Sequence, residues 1–234
     1  MTRLVILQSS YIPWKGYFDL INDADLFVFY DDAQFTKNDW RNRNQIKTSQ
    51  GLSWLSVPVG SKINRKIFEV EITSTSWQAK HSASLKQNYS RSPFFDQYSY
   101  ILDELYVLNQ WSSLSALNQH ATIIISRALG IRTAFVDSRQ FKCEGAKLDR
   151  LLSLVRQTGA DEYISGPSAK SYIDEDRFRQ EGIKLIWKDY QGYPEYSQRF
   201  PPFEHAVSVL DLLFNVGPDA PYFIWGWREK AMGQ

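Results

Sequence analysis

Short apolar runs alternate with helix-period segments near the start of the chain. Residues 4–7 and 26–30 are continuous apolar runs, which favour buried strands, and residues 18–24 between them have the spacing of a short helix. Two parallel strands joined by a helix require a right-handed crossover. The pattern therefore predicts a βαβ unit at the start of the chain.

The second half of the chain repeats this alternation. Helices are predicted to end at Gly159 and Gly182, because glycine favours the left-handed conformation that often closes a helix. Repeated strand and helix segments are typical of the α/β class, so we expect an α/β fold with a parallel sheet and helices on both faces. The predicted strands here are residues 132–136, 163–164 and 184–187, and the predicted helices are residues 147–158 and 174–181.

The middle of the chain changes period. Two strands are predicted after the loop that runs to Lys47, and from Ser76 apolar side chains recur every four residues, as on one face of a helix. We therefore expect one α/β domain over residues 1–234, with an added helical subdomain over residues 76–130. The predicted strands are residues 54–59 and 67–72, and the predicted helices are residues 76–89, 94–108, 114–129 and 205–216.

Composition narrows the classes of function. A hydrophobic content of 43% with 23% charged residues is typical of a globular protein, and a net charge of +1 provides no general attraction for nucleic acid. The single cysteine, Cys143, excludes an internal disulfide and a thiolate metal cluster. No apolar window approaches the length of a membrane span. We expect a cytoplasmic protein that does not insert into a membrane.

Aromatic residues are unusually frequent, at 15% of the chain. Many of the tryptophans and tyrosines lie beside Gly, Pro, Lys or Arg. They serve either as packing residues, which is the more frequent role, or as surfaces on which sugar or nucleobase rings stack. Composition alone does not decide between these roles.

The carboxyl ends of parallel strands are where open α/β sheets bind ligands, and the segment QSSYIPWKGY follows the first predicted strand. Ser9 and Lys15 precede a helix, whose N-terminus favours phosphate or carboxylate. Trp14 and Tyr17 are predicted to stack on a ligand ring. The alternative is that the serines cap the helix and Trp14 packs.

The segment FYDDAQFTKNDWRNRN follows the second predicted strand. Asp31 and Asp32 are adjacent on an extended chain, so their side chains point in opposite directions and are not expected to share a ligand atom. Without further acids nearby, no metal site is predicted. The cations suit phosphate or carboxylate and the tryptophan suits a ring, unless the loop is solvated and paired with its own acids. The predicted contacts are Lys37, Arg41 and Arg43 to the anion and Trp40 to the ring.

Two further candidates lie later in the chain. In ISGPSAKSY, Ser168 and Lys170 are predicted to bind an anion, although the Walker spacing is absent and an ordinary capped turn explains the segment equally well. His81 lies on the apolar stripe of its helix, where a packing role competes with a catalytic one. Asp31 and His81 are the acid–base candidates.

Several of these segments together resemble the WbqC-like family of bacterial proteins. The resemblance spans nearly the whole chain, in LQSSYIPWKGYFDLI, FVFYDDAQFTKNDWRNRNQIKT, WLSVPV, the His81 helix ending in SPFF, YISGPSAKSYID and FEHAVSVLDLLFNVG. It implies a setting in surface polysaccharide, or O-antigen, gene clusters. The expected function is a transferase that acts on an amino-sugar or nucleotide-linked sugar, with acyl or aminoacyl transfer as one form. The alternatives are a non-catalytic carbohydrate- or nucleotide-binding protein and, less in keeping with the charge, a nucleic-acid base modifier.

A weaker resemblance links WKGYFDLI and ISGPSAK to the nucleotidyltransferase and pantothenate synthetase superfamily, and implies a Rossmann-like fold in which the two loops face one ligand. Trp14 and Tyr17 stand where that superfamily has two histidines. Neither an indole nor a phenol replaces a cation that stabilises a phosphate in transfer, so nucleotidyl transfer is not expected. A small nucleotide-linked or sugar ligand is the expected partner. The cofactor and the oligomeric state, a homo-oligomer included, stay open.

Overall fold

Five parallel strands form the central sheet of the protein, as seen in a computed structural model that describes residues 1–228. Two further strands, β3 and β4, form a separate antiparallel hairpin. In this part of the chain the strands are β1 (Arg3–Leu7), β2 (Leu26–Phe29), β3 (Arg43–Thr48), β4 (Gly51–Ser56), β5 (Ala134–Asp137), β6 (Glu162–Ser165) and β7 (Lys184–Trp187). The strand order in the sheet is β5-β2-β1-β6-β7.

Strand β1 lies at the centre of the sheet because its residues are apolar on both faces. Leu4 and Ile6 contact the apolar cluster on one face, and Val5 contacts the cluster on the other. The strand pairs in parallel with β2 and with β6. This confirms the predicted βαβ unit, since β1 and β2 are consecutive and joined by a helix.

Helices cover both faces of the sheet, which confirms the predicted Rossmann-like α/β class. One apolar cluster includes residues of α1, α5 and α8, and the opposite cluster includes residues of α6 and α7. The α-helices of the described chain are α1 (Lys15–Asn22), α2 (Ser76–Tyr89), α3 (Phe95–Tyr98), α4 (Tyr100–Tyr106), α5 (Leu114–Ala128), α6 (Leu148–Thr158), α7 (Glu175–Gln180) and α8 (Val209–Val216).

Strands are added first on one side of β1 and later on its other side. From β1 the chain moves outward to β2 and β5, and it then returns to β6 and β7 on the other side. The loops after β1 and β6 therefore leave the sheet in opposite directions and open a crevice between them. This topological switch point is where open α/β sheets bind ligands.

Three local predictions differ from the structure. A strand is predicted over residues 67–72, but Ile67–Glu69 is a single 3₁₀ turn. Ile67 and Val70, which directly follows the turn, are both buried, and their spacing of three fits a 3₁₀ turn rather than a strand. The helix predicted over residues 94–108 is divided into α3 and α4 at Ser99. The predicted loop up to Lys47 contains strand β3, whose pairing with β4 was not foreseen.

The helical region α2–α5 packs into the same apolar cluster as the sheet. That cluster contains Leu85 and Ile101 of the helical region together with Phe27 of β2. Near the C-terminus, the π-helical segment Tyr222–Gly226 contacts α1. None of the helices in residues 1–228 is long and apolar enough to cross a membrane.

Candidate functional site

A pocket of about 420 Å³ lies at the switch point of the sheet. Its floor is apolar and comes from β1 and α1, and its walls come from all three segments singled out in the sequence. The volume lies within the range typical of small-molecule sites. The lining residues are Ile6, Leu7, Ser10, Pro13, Trp14, Tyr17, Leu20, Trp40, Arg41, Asn44, Tyr163, Ser165, Gly166, Ser168, Ala169, Tyr172, Tyr190 and Ala206.

Arg41 joins the loop after β1 to the loop after β2. Its Nη1 atom donates to the Gln8 carbonyl at 3.1 Å, to the Ser9 carbonyl at 3.2 Å and to the Ser10 hydroxyl at 2.6 Å. The side chain is 15% exposed and lines the pocket. The loops after β1 and β2 are therefore held together by a pocket-lining cation.

A strained turn after β1 shapes the same wall. Ile12 has φ of 35°, in the left-handed region that a β-branched side chain rarely adopts. Asn44 donates from Nδ2 to the Ile12 carbonyl at 2.8 Å and to the Tyr11 carbonyl at 3.2 Å. Such strain persists only where the surroundings fix it, and it is concentrated at functional sites.

The Trp14 indole forms one aromatic wall. It packs directly over Gly16, where a Cβ atom would overlap the indole. Edge-on contacts to Tyr190, at 5.4 Å between ring centroids, and to Tyr193, at 6.1 Å, fix its other side. The glycine thus allows helix α1 to begin directly beneath a ring that lines the pocket.

The third segment forms the opposite wall after β6. Ser165, Gly166 and Ser168 line the pocket, and Tyr190 approaches Gly166 so closely that an added Cβ would lie 3.3 Å from its hydroxyl oxygen. Lys170 does not line the pocket, since its ammonium is exposed and lies 5.4 Å from the centre of the Trp187 ring.

Lys15 is also outside the pocket lining. The residue is only 2% exposed. Its side chain points into a cage of aromatic rings from the segment after β7. The ammonium lies 4.9 Å from the Tyr193 ring centre and 5.4 Å from that of Tyr196, and it donates to the Pro194 carbonyl at 3.4 Å. Burial lowers the pKa of Lys15 to about 8, although the charge of Asp211 opposes this shift.

The two aspartates after β2 contact different partners, as their adjacency on an extended chain predicts. Asp31 is fully buried and accepts from the Ser9 amide at 2.8 Å, from Ser115 Oγ at 2.5 Å and from Gln119 Nε2 at 3.0 Å. Asp32 accepts from Ser138 and pairs with Arg150. Neither carboxylate lines the pocket.

Among residues 1–228, no group of three or more His, Cys, Asp or Glu side chains is placed to hold a metal ion.

His81, on helix α2, lies in a cluster of aromatic side chains. Its Nδ1 atom is 2.7 Å from the Tyr11 hydroxyl, and its ring contacts Trp77 and Tyr106 edge-on. Burial lowers the pKa of His81 to about 4, with a hydrogen bond to the Ser56 backbone opposing the shift. The imidazole is therefore neutral at pH 7. His81 does not line the pocket.

The remaining predicted contacts divide between the pocket and its surroundings. Tyr17 and Trp40 line the pocket, and Tyr17 donates to the Gln8 carbonyl at 3.0 Å. Ser9 lies behind the wall, bonded to Asp31. Lys37 is exposed, and Arg43 stacks on a ring of the hairpin, so neither reaches the lining.

Among residues 1–228, Arg41 is the one basic side chain in the pocket lining. The other polar groups of the lining are hydroxyls, one amide and the phenols of tyrosines, and burial raises the pKa of Tyr17 and Tyr190, which keeps both neutral. In the described chain the lining includes no Asp, Glu, His, Cys or Lys. Such a site can stack rings, bond hydroxyl groups and accept one anionic group.

Sequence reasoning missed Ser165, Tyr172 and Tyr190. Ser165 ends β6, and Tyr190 lies three residues beyond the end of β7, so the rule that ligands lie at strand carboxyl ends could have found both. Tyr172 ends the segment that the sequence did single out. Neither a serine inside a short apolar strand nor a tyrosine in an aromatic-rich segment is distinctive by itself.

Comparison with known proteins decides the family. The model of the WbqC-like protein family matches residues 8–222, which include the three loops around the pocket. The chain belongs to the WbqC-like protein family. This WbqC-like protein is also 47% identical to "Uncharacterized protein Rv1507c" of Mycobacterium tuberculosis (strain ATCC 25618 / H37Rv), over 98% of this chain and 100% of the relative. No solved structure matches it.

Proposed function

We propose that this WbqC-like protein is a cytoplasmic transferase of surface polysaccharide biosynthesis that binds a nucleotide-linked sugar in the pocket between β1 and β6. The observation that carries the proposal is the composition of the pocket, in which aromatic walls and a single arginine meet at the switch point of a parallel sheet. The finer form of the proposal is transfer of an acyl or aminoacyl group to the amine of the sugar.

The two ends of such a ligand have matching groups in the pocket. A planar base or a sugar ring can lie against Trp14 and Trp40. An anionic group is favoured near Arg41, and helix α1 begins at Lys15, directly after pocket-lining Trp14, so that its N-terminal dipole adds to this attraction.

A second candidate is a non-catalytic protein that binds the same class of ligand. It is favoured by the absence of a carboxylate, imidazole, thiol or amine from the described lining, since a sugar amine that attacks a carbonyl must lose a proton. Under the transferase proposal, the amide bond forms as the bond between the carbonyl carbon and the leaving group of the acyl donor breaks, and the proton goes to that leaving group. Product analysis by mass spectrometry, with amino-sugar nucleotides and acyl donors mixed, separates the two candidates.

The binding step is tested by thermal shift with nucleotides, nucleotide-linked sugars and acyl donors. A ligand at a hundred times its Kd stabilises the folded state by about 2.7 kcal/mol, which is readily measured. Ser168→Phe places a ring in the pocket from an exposed lining position, and Ser171→Phe makes the same change in the same 3₁₀ helix outside the lining.

We expect at least one nucleotide-linked sugar to stabilise the wild type and Ser171→Phe, and to stabilise Ser168→Phe much less. Equal shifts in both variants would place the ligand elsewhere. The absence of a shift with every nucleotide-linked compound would reject the proposal.

A further inference from the structure

Two exposed tryptophans form a continuous aromatic surface beside the pocket. Trp40 is 44% exposed and Trp54 is 42% exposed, although indole rings are usually well buried. Their ring centroids are 5.7 Å apart, with planes inclined by 38°. Exposed apolar surface of this kind, concentrated in one place, often marks a binding site.

The hairpin fixes the position of Trp54. The Arg43 guanidinium lies 4.1 Å from the centre of the Trp54 ring, close enough for a strong cation–π contact. In the register of the hairpin, Gln45 pairs with Trp54 and Arg43 pairs with Ser56. Because β-strand side chains alternate between faces, Arg43, Gln45, Trp54 and Ser56 share one face of the hairpin.

Trp40 belongs to this surface and to the pocket. Its ring lines the pocket, and its carbonyl accepts a hydrogen bond from the Tyr11 amide at 2.9 Å, which fixes it to the loop after β1. A ligand that leaves the pocket past Trp40 therefore meets Trp54 next. The surface is an extension of the pocket rather than a separate patch.

We propose that Trp40 and Trp54 form a saccharide subsite, on which a sugar ring outside the pocket stacks. This inference rests on the proposed function, because it places a saccharide acceptor next to a nucleotide-linked sugar in the pocket. The indoles pack against the C–H face of a pyranose ring. The guanidinium edge of Arg43 and the polar face of the hairpin then lie near the ring's hydroxyl groups.

The chemistry of the surface favours a neutral saccharide over single-stranded nucleic acid. Base stacking on aromatic rings in single-strand sites is accompanied by a basic groove that follows the phosphates. Here Arg43 is stacked on Trp54, and the chain as a whole carries a net charge of only +1. A stacked sugar needs no further cations.

Isothermal titration with chitotriose and maltotriose tests the subsite. The variants are Trp54→Ala, Trp54→Tyr, which retains a ring for stacking, and Tyr100→Ala, which removes an aromatic side chain of similar exposure, 44%, from helix α4. Melting temperatures of all variants confirm that they are folded. A nucleotide-linked sugar is titrated in parallel, so that the pocket and the subsite are measured separately.

We expect at least one trisaccharide to bind the wild type, and Trp54→Ala to weaken that binding by about tenfold or more. Trp54→Tyr should lose much less, and Tyr100→Ala should bind as the wild type does. The nucleotide-linked sugar should change by less than about twofold in Trp54→Ala.

Binding that Trp54→Ala leaves unchanged, or no trisaccharide binding up to about 10 mM, would overturn the subsite. Oligo-dT is titrated as well. If it binds more tightly than either trisaccharide, and Trp54→Ala weakens that binding, the subsite is overturned in favour of a nucleic-acid site. None of these results depends on the nucleotide-linked sugar, whose failure to bind the wild type would instead reject the proposed function.

Discussion

Arg41 Nη1 lies 2.6 Å from the Ser10 hydroxyl oxygen, across 31 residues of sequence. This contact joins the loop after β1 to the loop after β2, and both residues line the pocket. A buried or half-buried arginine with several oxygen partners fixes the loops around it. Arg41 therefore both builds the wall of the pocket and supplies its positive charge.

Replacing Arg41 should affect folding and binding together. In Arg41→Gln the hydrogen bonds to two carbonyls and one hydroxyl are lost, and we expect the free energy of unfolding to fall by about 1–3 kcal/mol. The stabilisation by a nucleotide-linked sugar should also fall, because the anion partner is gone. Urea unfolding and thermal shift measure the two effects, with Lys37→Gln, at an exposed position outside the lining, as the control. Equal behaviour of the two variants would contradict this role.

Asp31 is expected to stabilise the fold without taking part in ligand binding. Its oxygens accept from an amide, a hydroxyl and a side-chain amide, all buried or half-buried, and Asp31→Asn turns one of these acceptors into a donor. We expect the free energy of unfolding to fall by roughly 2–4 kcal/mol. The ligand affinity of the folded variant should stay within about twofold of the wild type. Titration at a temperature where the variant is folded checks this. A large loss of affinity in a folded variant would show that Asp31 takes part in ligand binding.

His81 should make the stability of the protein depend on pH. Burial lowers its pKa from 6.5 to about 4, so between these values the unfolded chain binds a proton that the folded chain does not. The free energy of unfolding should therefore decrease as the pH falls from about 6.5 to about 4, by on the order of 3 kcal/mol at the lower limit.

Urea unfolding between pH 4 and pH 8 measures this dependence in the wild type and in His81→Gln. Other groups titrate in both proteins, so the difference between the two curves isolates the histidine. The difference should grow as the pH falls below about 6.5 and stay constant above it. Parallel curves would show that the imidazole is not held neutral by burial.

Gly16 should be required for the position of the Trp14 ring. A Cβ atom at Gly16 would overlap the indole, so Gly16→Ala must displace Trp14 from the pocket wall even though alanine favours a helix more than glycine does. We expect affinity for the pocket ligand to fall by about tenfold, and the free energy of unfolding to fall by about 1–3 kcal/mol as the indole loses its packing. Gly226→Ala is the control, because its Cβ would lie 3.6 Å from the nearest atom, the Pro221 oxygen, which is an ordinary contact. Unchanged affinity in Gly16→Ala would show that the ring does not contact the ligand.

The parts of the fold that follow from local pattern were predictable. Strands β1 and β2 are apolar on both faces, and that alone indicates burial in a parallel sheet. Strand β3 was missed because its buried positions include Asn44 and Lys47, polar side chains whose partners come from distant segments. Only the folded chain shows that an asparagine supports a turn at Ile12.

The three loops around the pocket are segments that follow predicted strand ends, and their position depends on topology alone. The direction of each side chain depends on packing that no spacing shows. Lys15 and Arg41 are both cations in segments that follow predicted strands, but Lys15 enters an aromatic cage while Arg41 reaches the pocket.

The most direct test of the central claim is a crystal structure of the protein with the nucleotide-linked sugar that stabilises it most in the thermal-shift panel. We expect density for the ligand at the carboxyl ends of β1 and β6, with a ring against Trp14 or Trp40 and an anionic group within hydrogen-bond distance of Arg41. Density at another place, such as the carboxyl ends of β2 and β5 beside Asp31 and Asp137, would contradict the account.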